Sequence, residues 1–217
     1  GNHFGQTVLS LQPIYSGSAI NGRSVIATDG ALTQMILSCS STTDMAGSDE
    51  HYTNFAVIRQ WKDHVGTGGD ANESPYFGFG LTNSTSYGSE YAQLMIKAGG
   101  ELKANFAGTG KDVSVTYPGG STEFRASPQM ITHRNYSPGT ELRISGTLGS
   151  LDTTGVVTIN STGRAGLPLP VDNNTREPSW YYGEIIHYSR GLTDAECATV
   201  ETYLQNKWNI TVATQSA

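Results

Sequence analysis

Apolar positions along the chain come in short runs and alternations, and only the last run has a helical period. Residues Trp180–Tyr188 (WYYGEIIHY) are dense in aromatic and β-branched side chains and contain no Pro, the pattern of a buried strand. Ser189-Arg190-Gly191 breaks that pattern. Thr193-Asp-Ala-Glu196 then has the form of a capping box, in which the Thr hydroxyl accepts from the third helical N–H and the Glu reaches back to the Thr N–H. Cys197, Val200, Leu204 and Trp208 follow at helical spacing and predict an amphipathic helix with one apolar stripe. Such a stripe must lie on something large, and the rest of the chain supplies it.

Upstream, Thr53–Trp61 (TNFAVIRQW) is a near-continuous apolar run of strand length, expected to cross the core. Further strands are predicted within Gly1–Ile20, leading to a sheet edge, and at Val25–Ala27, Tyr76–Leu81, Tyr91–Lys97, Leu102–Phe106, Val113–Tyr117, Gln129–His133, Leu142–Ser145 and Val156–Ile159. Turn signals at Asp29-Gly30, Pro118-Gly119-Gly120 and Ser137-Pro138-Gly139 separate several of them. Ser38–Glu50 and Lys62–Pro75 read as loops, Asn160–Pro178 as a long irregular segment, and Thr211–Ala217 as a frayed polar tail. Many short strands with no helix before the end predict an all-β fold. The expected architecture is a two-sheet antiparallel β-sandwich of the jelly-roll kind with one C-terminal amphipathic helix. No repeat or linker divides the chain, so one domain is expected over residues 1–210, with 211–217 as the tail.

Composition narrows the class of partner. The 217 residues suffice to bury a core without staples, and 26 Gly suit a protein of many turns. Charged residues are 15% and the net charge is −6, which excludes bulk neutralisation of nucleic-acid phosphates. No apolar run has membrane-spanning length, so no membrane insertion is expected. Gly1 opens the chain without a signal peptide, as in a processed or excised segment. Cys39 and Cys197 are either a disulfide tying an early segment to the terminal helix or two buried free thiols. Sequons begin at Asn72, Asn83, Asn135, Asn160, Asn173 and Asn209, and are read as chance products of a Ser/Thr/Asn-rich sequence.

The closing stretch resembles the C-terminal signature of the concanavalin A-like lectin/glucanase superfamily, in its laminin-G-like jelly-roll branch. Members of that branch often end in a strand with Glu and Tyr, an Arg-x-Leu turn, a Ser/Thr-x-x-Glu helix start and a Tyr-Leu-x-x-Lys-Trp finish. The matching residues are Glu184, Tyr188, Arg190, Leu192, Thr193, Glu196, Tyr203, Leu204, Lys207 and Trp208. His187 departs from the pattern, standing where the family strand usually has an apolar residue. The resemblance implies a jelly roll whose curved sheet and rim loops do the recognition. It also implies that the closing helix caps an end or an edge.

Glucanases of that superfamily carry Glu-x-Asp-x-x-Glu on one strand, where alternation sets three carboxylates on one face. No such triplet occurs here. The Gln-Ile-His and Tyr-Phe-Lys-Ala-Gly runs of related alginate lyases are also missing; Gln129 and His133 share a strand face but lack the partner motif. No Gly-x-Ser-x-Gly, His-Glu-x-x-His or phosphate loop appears, and the five His lack metal-ligand spacing, so a non-enzyme is expected. Sugar binding needs an aromatic face plus a few hydrogen-bonding groups. The loop-proximal candidates are Trp61, Tyr76, Tyr87, Tyr136 and Trp180, with Asn83, Arg134, Asn135 and Arg176 as polar partners, although each is also ordinary sandwich material. Many lectins of the superfamily hold calcium; Asp70, Asn72 and Glu73, beside a Gly-rich bend, form the best oxygen cluster, yet no cofactor is required.

The leading expectation is a non-catalytic recognition module that binds a glycan or polysaccharide outside the cell or on a virion or cell surface, as part of a larger protein. The alternatives are a decoration or assembly domain that binds protein neighbours, and a polysaccharide-degrading enzyme with an unrecognised site. A saccharide screen separates the first two, and a pair of carboxylates facing one another across a groove identifies the third.

Overall fold

In a computed structural model of the protein, the described residues are 13–28, 51–61, 73–81, 92–97, 101–106, 113–116, 123–153, 164–166 and 179–211. One sheet has seven strands. In spatial order they are β1 (Ile14–Ile20), β2 (Arg23–Ala27), β12 (Trp180–Tyr188), β3 (Tyr52–Gln60), β8 (Gln129–Tyr136), β9 (Gly139–Ile144) and β10 (Thr147–Asp152). The other has five: β11 (Arg164–Gly166), β4 (Glu73–Leu81), β5 (Ala92–Lys97), β6 (Glu101–Phe106) and β7 (Val113–Thr116). All pairings are antiparallel. A short helix α1 (Glu123–Ala126) precedes β8, and α2 (Asp194–Trp208) closes the fold. The expected β-sandwich with a C-terminal helix is therefore what forms.

Alternation along the strands sorts side chains into two separate cores. Ala56 and Ile58 of β3, Ile131 of β8, Leu142 and Ile144 of β9, and Trp180 and Tyr182 of β12 meet Phe77, Leu94, Leu102, Ala104, Val113 and Val115 of the smaller sheet. The intervening residues, Phe55 and Val57 of β3 and Met130 of β8, point to the other side and pack on Cys197, Leu204 and Trp208 of α2. β3 is covered on both faces, which explains why Phe55–Ile58 is a continuous apolar run and not an alternation. The molecule is thus three layers: small sheet, large sheet, helix. This corrects the implied placement of α2 at an end or edge. It lies across the outer face of the large sheet because Phe55, Val57 and Met130, on its central strands, form a second apolar face that the helix stripe covers.

The signature residues are the fastenings of that helix. Thr193 and Glu196 make the capping box, and Arg190 closes on Glu196 through both guanidinium nitrogens, at 2.7 and 3.0 Å. Leu192 is buried with the stripe. At the far end, Glu184 accepts from Trp208 Nε1 at 2.8 Å and Tyr203 Oη at 3.1 Å, and pairs with Lys207 at 2.9 Å. The Trp208 ring sits over Gly183, where β12 shifts register; a Cβ there would be 3.0 Å from the ring. Each buried apolar anchor contributes about 1.5–3 kcal/mol, so this seam holds the helix without intrinsic helix strength. The helix also buries Glu201, which accepts from Thr132 Oγ1 at 2.6 Å.

Other differences from expectation are local. Glu73–Pro75, expected in a loop, opens β4; Pro75 sits at a register shift, where the ladder does not need its missing N–H. β11 falls within the segment expected to be irregular, β10 was not anticipated, and β8 and β9 run three residues further toward their shared turn. β1 and β2 are joined by Asn21-Gly22, both at positive φ, as a tight primed hairpin turn requires. That dipeptide is a strong hairpin signal that the sequence reading passed over. Val156–Ile159 and the tail from residue 212 lie outside the described residues.

Candidate functional site

The inner face of the large sheet carries a row of polar and aromatic side chains at one end of the core. Tyr52, Asn54, His133, Asn135 and Thr140 lie there on β3, β8 and β9, all buried. Tyr52 stands edge-on to His133 with ring centroids 5.2 Å apart and stacks near His187 at 6.3 Å. His187 contacts Asn54 Oδ1, so the residue that departs from the family pattern belongs to an internal polar row. Desolvation lowers the His133 pKa to about 3 and raises that of Tyr52 well above its ordinary value. These groups are neutral in the fold and closed to solvent.

A cleft of about 400 Å³ lies instead on the helix side of the large sheet, at the end where β3 begins and β8 ends. Three distant segments build it: His51 before β3, Arg134-Tyr136-Ser137 at the β8–β9 turn, and Gly191-Leu192-Thr193-Asp194 between β12 and α2. Gly191 is required at this wall, since a Cβ there would meet Tyr136 Cβ at 2.6 Å. Thr53 holds the third segment down, donating to Arg190 O at 3.1 Å and accepting from Leu192 N at 2.9 Å.

Beneath the cleft is a charge network. The Arg134 side chain is 2% exposed. It donates to Leu192 O at 2.9 Å, Asp194 Oδ1 at 2.7 Å, Tyr136 Oη at 3.3 Å and Glu141 Oε2, and its guanidinium carbon is 4.2 Å from the Tyr136 ring centre. Arg143 bridges Glu141 and Asp194. The hydrogen bond from Arg134, its charge and that of Arg143 hold the Asp194 carboxyl below its ordinary range. Cys197 is a buried free thiol, its pKa pushed up to about 11 by desolvation; Cys39 lies outside the described residues.

Of the sequence candidates, the structure brings Arg134 and Tyr136 together at this cleft. Trp180 is corrected: its ring is fully buried between the sheets and offers no face to a sugar. Asn135 is likewise buried, because alternation turns it inward from its neighbours Arg134 and Tyr136. Arg134 Nη1 and Nη2 already serve the protein, and its Nε is buried without a hydrogen-bond partner. Trp61 stands apart at the opposite end of β3, 38% exposed, pinned by Nε1 donation to Thr28 O at 2.6 Å and stacked on Tyr181. Tyr76 lies on β4, its side chain beyond description, and Asn83, Tyr87 and Arg176 lie outside the described residues. So do Asp70 and Asn72, while Glu73 opens β4 opposite Lys97. Among the described residues no three His, Cys, Asp or Glu converge as for a metal, and no helix is long and apolar enough to cross a membrane. Sequence reasoning did not connect His51, Ser137 and Gly191–Asp194 with a site; no local signal marks them, because their convergence is tertiary.

The fold is shared with parts of larger proteins. NanB sialidase from Streptococcus pneumoniae matches with a TM-score of 0.56 at 15% identity, over 87% of this chain and 28% of the sialidase chain. The binding domain of botulinum neurotoxin serotype D matches with a TM-score of 0.61 at 13% identity, over 94% of this chain and 46% of that one. Trypanosoma rangeli sialidase matches at 0.53 and 11% identity, over 90% and 28%. This chain thus spans less than half the length of each, and at these identities the likeness concerns fold alone. No protein-family model and no curated protein sequence matches the chain.

Proposed function

We propose that the chain is a non-catalytic carbohydrate-recognition module, a single concanavalin A-like jelly-roll domain over residues 1–210 of a larger extracellular or surface protein. Its ligand site is the cleft at the start of α2. The observation that carries the reading is the composition of that cleft: the Tyr136 ring and the His51 imidazole beside the Ser137 hydroxyl and the Asp194 carboxylate, around about 400 Å³. A pyranose presents an apolar face and a ring of hydroxyls, and this volume falls within the range of small-ligand sites. The neighbours named as sialidases and as a toxin binding domain support a link to carbohydrate and receptor recognition. The network supports binding without cleavage. Glu141 and Asp194 both contact Arg134, whose guanidinium occupies the space between them. A glycosidase needs that space for the scissile oxygen and a carboxyl of raised pKa to protonate it, whereas Asp194 is shifted the opposite way.

The test is a calorimetric and saturation-transfer NMR screen of the intact chain against mono- and oligosaccharides. At least one saccharide binds, and Tyr136→Ala weakens it about tenfold while the melting transition stays cooperative. Absence of any saccharide response overturns the reading. It would favour a second one, a decoration domain contacting protein neighbours, for which the β1–β2 edge exposes Ile14, Tyr15 and Ile26. Light scattering on the same sample shows whether that edge associates.

A further inference from the structure

The charge balance of the cleft defines which sugars it accepts, an inference that rests on the glycan reading above. Two guanidinium groups, Arg134 and Arg143, face two carboxylates, Glu141 and Asp194, in one closed network. Both cations are already compensated by carboxylates, and Arg134 Nε, which has no hydrogen-bond partner, is buried. Arg134 serves a backbone carbonyl and both carboxylates with 2% of its side chain exposed, and Arg143, 17% exposed, serves the same two carboxylates. The exposed charge at the opening belongs to Asp194, whose side chain is 81% exposed and whose Oδ1 holds both arginines. The partial positive charge at the start of α2 is met within its own first turn by Asp194 and by Glu196 of the capping box. A carboxylated sugar entering the cleft therefore meets a like charge while both arginines are already held by carboxylates, whereas the hydroxyls of a neutral sugar find acceptors and a donor in Asp194 and Ser137.

We propose that the cleft selects uncharged sugars, hexoses and their N-acetylated amino forms, and rejects sugars bearing a carboxylate, the uronic and sialic acids. The fold it shares with sialidases does not carry their name's sugar with it, because specificity resides in the site and not in the sandwich.

Matched pairs test this on the intact chain: galactose against galacturonic acid and glucose against glucuronic acid, by calorimetry at neutral pH and low and high salt. The neutral member of the responding pair binds with a Kd about tenfold lower or better. Its affinity is insensitive to salt, and that of the uronate improves as salt screens Asp194. In Asp194→Asn the preference shrinks or reverses, since the network then carries an excess positive charge. The salt comparison needs no variant and stands if that substitution loosens the helix. A uronate that binds as tightly as its neutral partner, or better at low salt, overturns the selection and leaves glycan binding intact. If no member of either pair binds while other neutral saccharides of the screen do, the same comparison moves to the responding sugar and its carboxylated analogue. If nothing binds, the glycan reading falls and takes this selection with it.

Discussion

Glu141→Gln removes one charge from the centre of the network and turns one of its two acceptor oxygens into a donor. Glu141 is 3% exposed and accepts from Arg134, Arg143 and Tyr136. The substitution keeps the shape but leaves Arg134, itself 1% exposed, facing Asp194 alone, and that carboxylate is solvated and screened. Breaking a buried pair from one side costs about 3–5 kcal/mol, and because Asp194 persists as a partner the expected loss is about 3 kcal/mol. For a chain of this size that is a fall in Tm of about 6–12 °C, measured by calorimetry at neutral pH and checked by the urea midpoint. The paired change Arg134→Met with Glu141→Leu removes both charges and lies within about 1 kcal/mol of the parent. A Glu141→Gln melt within about 2 °C of the parent would refute the reasoning, since it would mean that water already screens Arg134. So would a double variant less stable than either single one.

Four further outcomes follow from the same geometry. Arg190 and the Thr193 cap lower the Glu196 pKa to about 2, so the stability this carboxylate adds is present above its unfolded pKa and is lost as pH falls from about 4.3 toward 2; Glu196→Gln flattens that part of a urea-midpoint profile, and an unchanged slope contradicts the assignment. His133 has its folded pKa lowered to about 3, so the unfolded chain binds the extra proton below about 6.5 and stability declines on acidification, by on the order of 2 kcal/mol by pH 4.5; His133→Gln removes this decline if the attribution is right. Gly183→Ala presses a methyl into the Trp208 ring and costs about 1–3 kcal/mol, visible as a lower urea midpoint, whereas a neutral result means that the ring is free to shift. In a Cys39→Ser background, native Cys197 does not react with a thiol reagent at pH 8 and reacts on addition of urea; fast native labelling contradicts its burial.

The sequence by itself determined the elements whose causes are local. The capping box, the Cys197–Val200–Leu204–Trp208 stripe and the aromatic strand before it are set by contacts within a few residues, and they form where the pattern places them. It also determined that the chain is a sandwich, since short strands between turns have few other ways to bury their faces. Alternation says that a strand has two faces, however, and not which layer covers each. Only the tertiary structure decided that the helix covers the outer face of the large sheet, which is why β3 is apolar on both faces from Phe55 to Ile58. The same packing sealed Trp180 and the Tyr52–His133 row between the sheets. It also joined residue 51, residues 134–137 and residues 191–194 into one cleft. Arg134 and Tyr136 were visible in the sequence as a guanidinium and a ring. That Glu141 and Asp194 would hold the first while the second lines the opening depends on pairings 7 to 60 residues apart, and no local pattern encodes such distances.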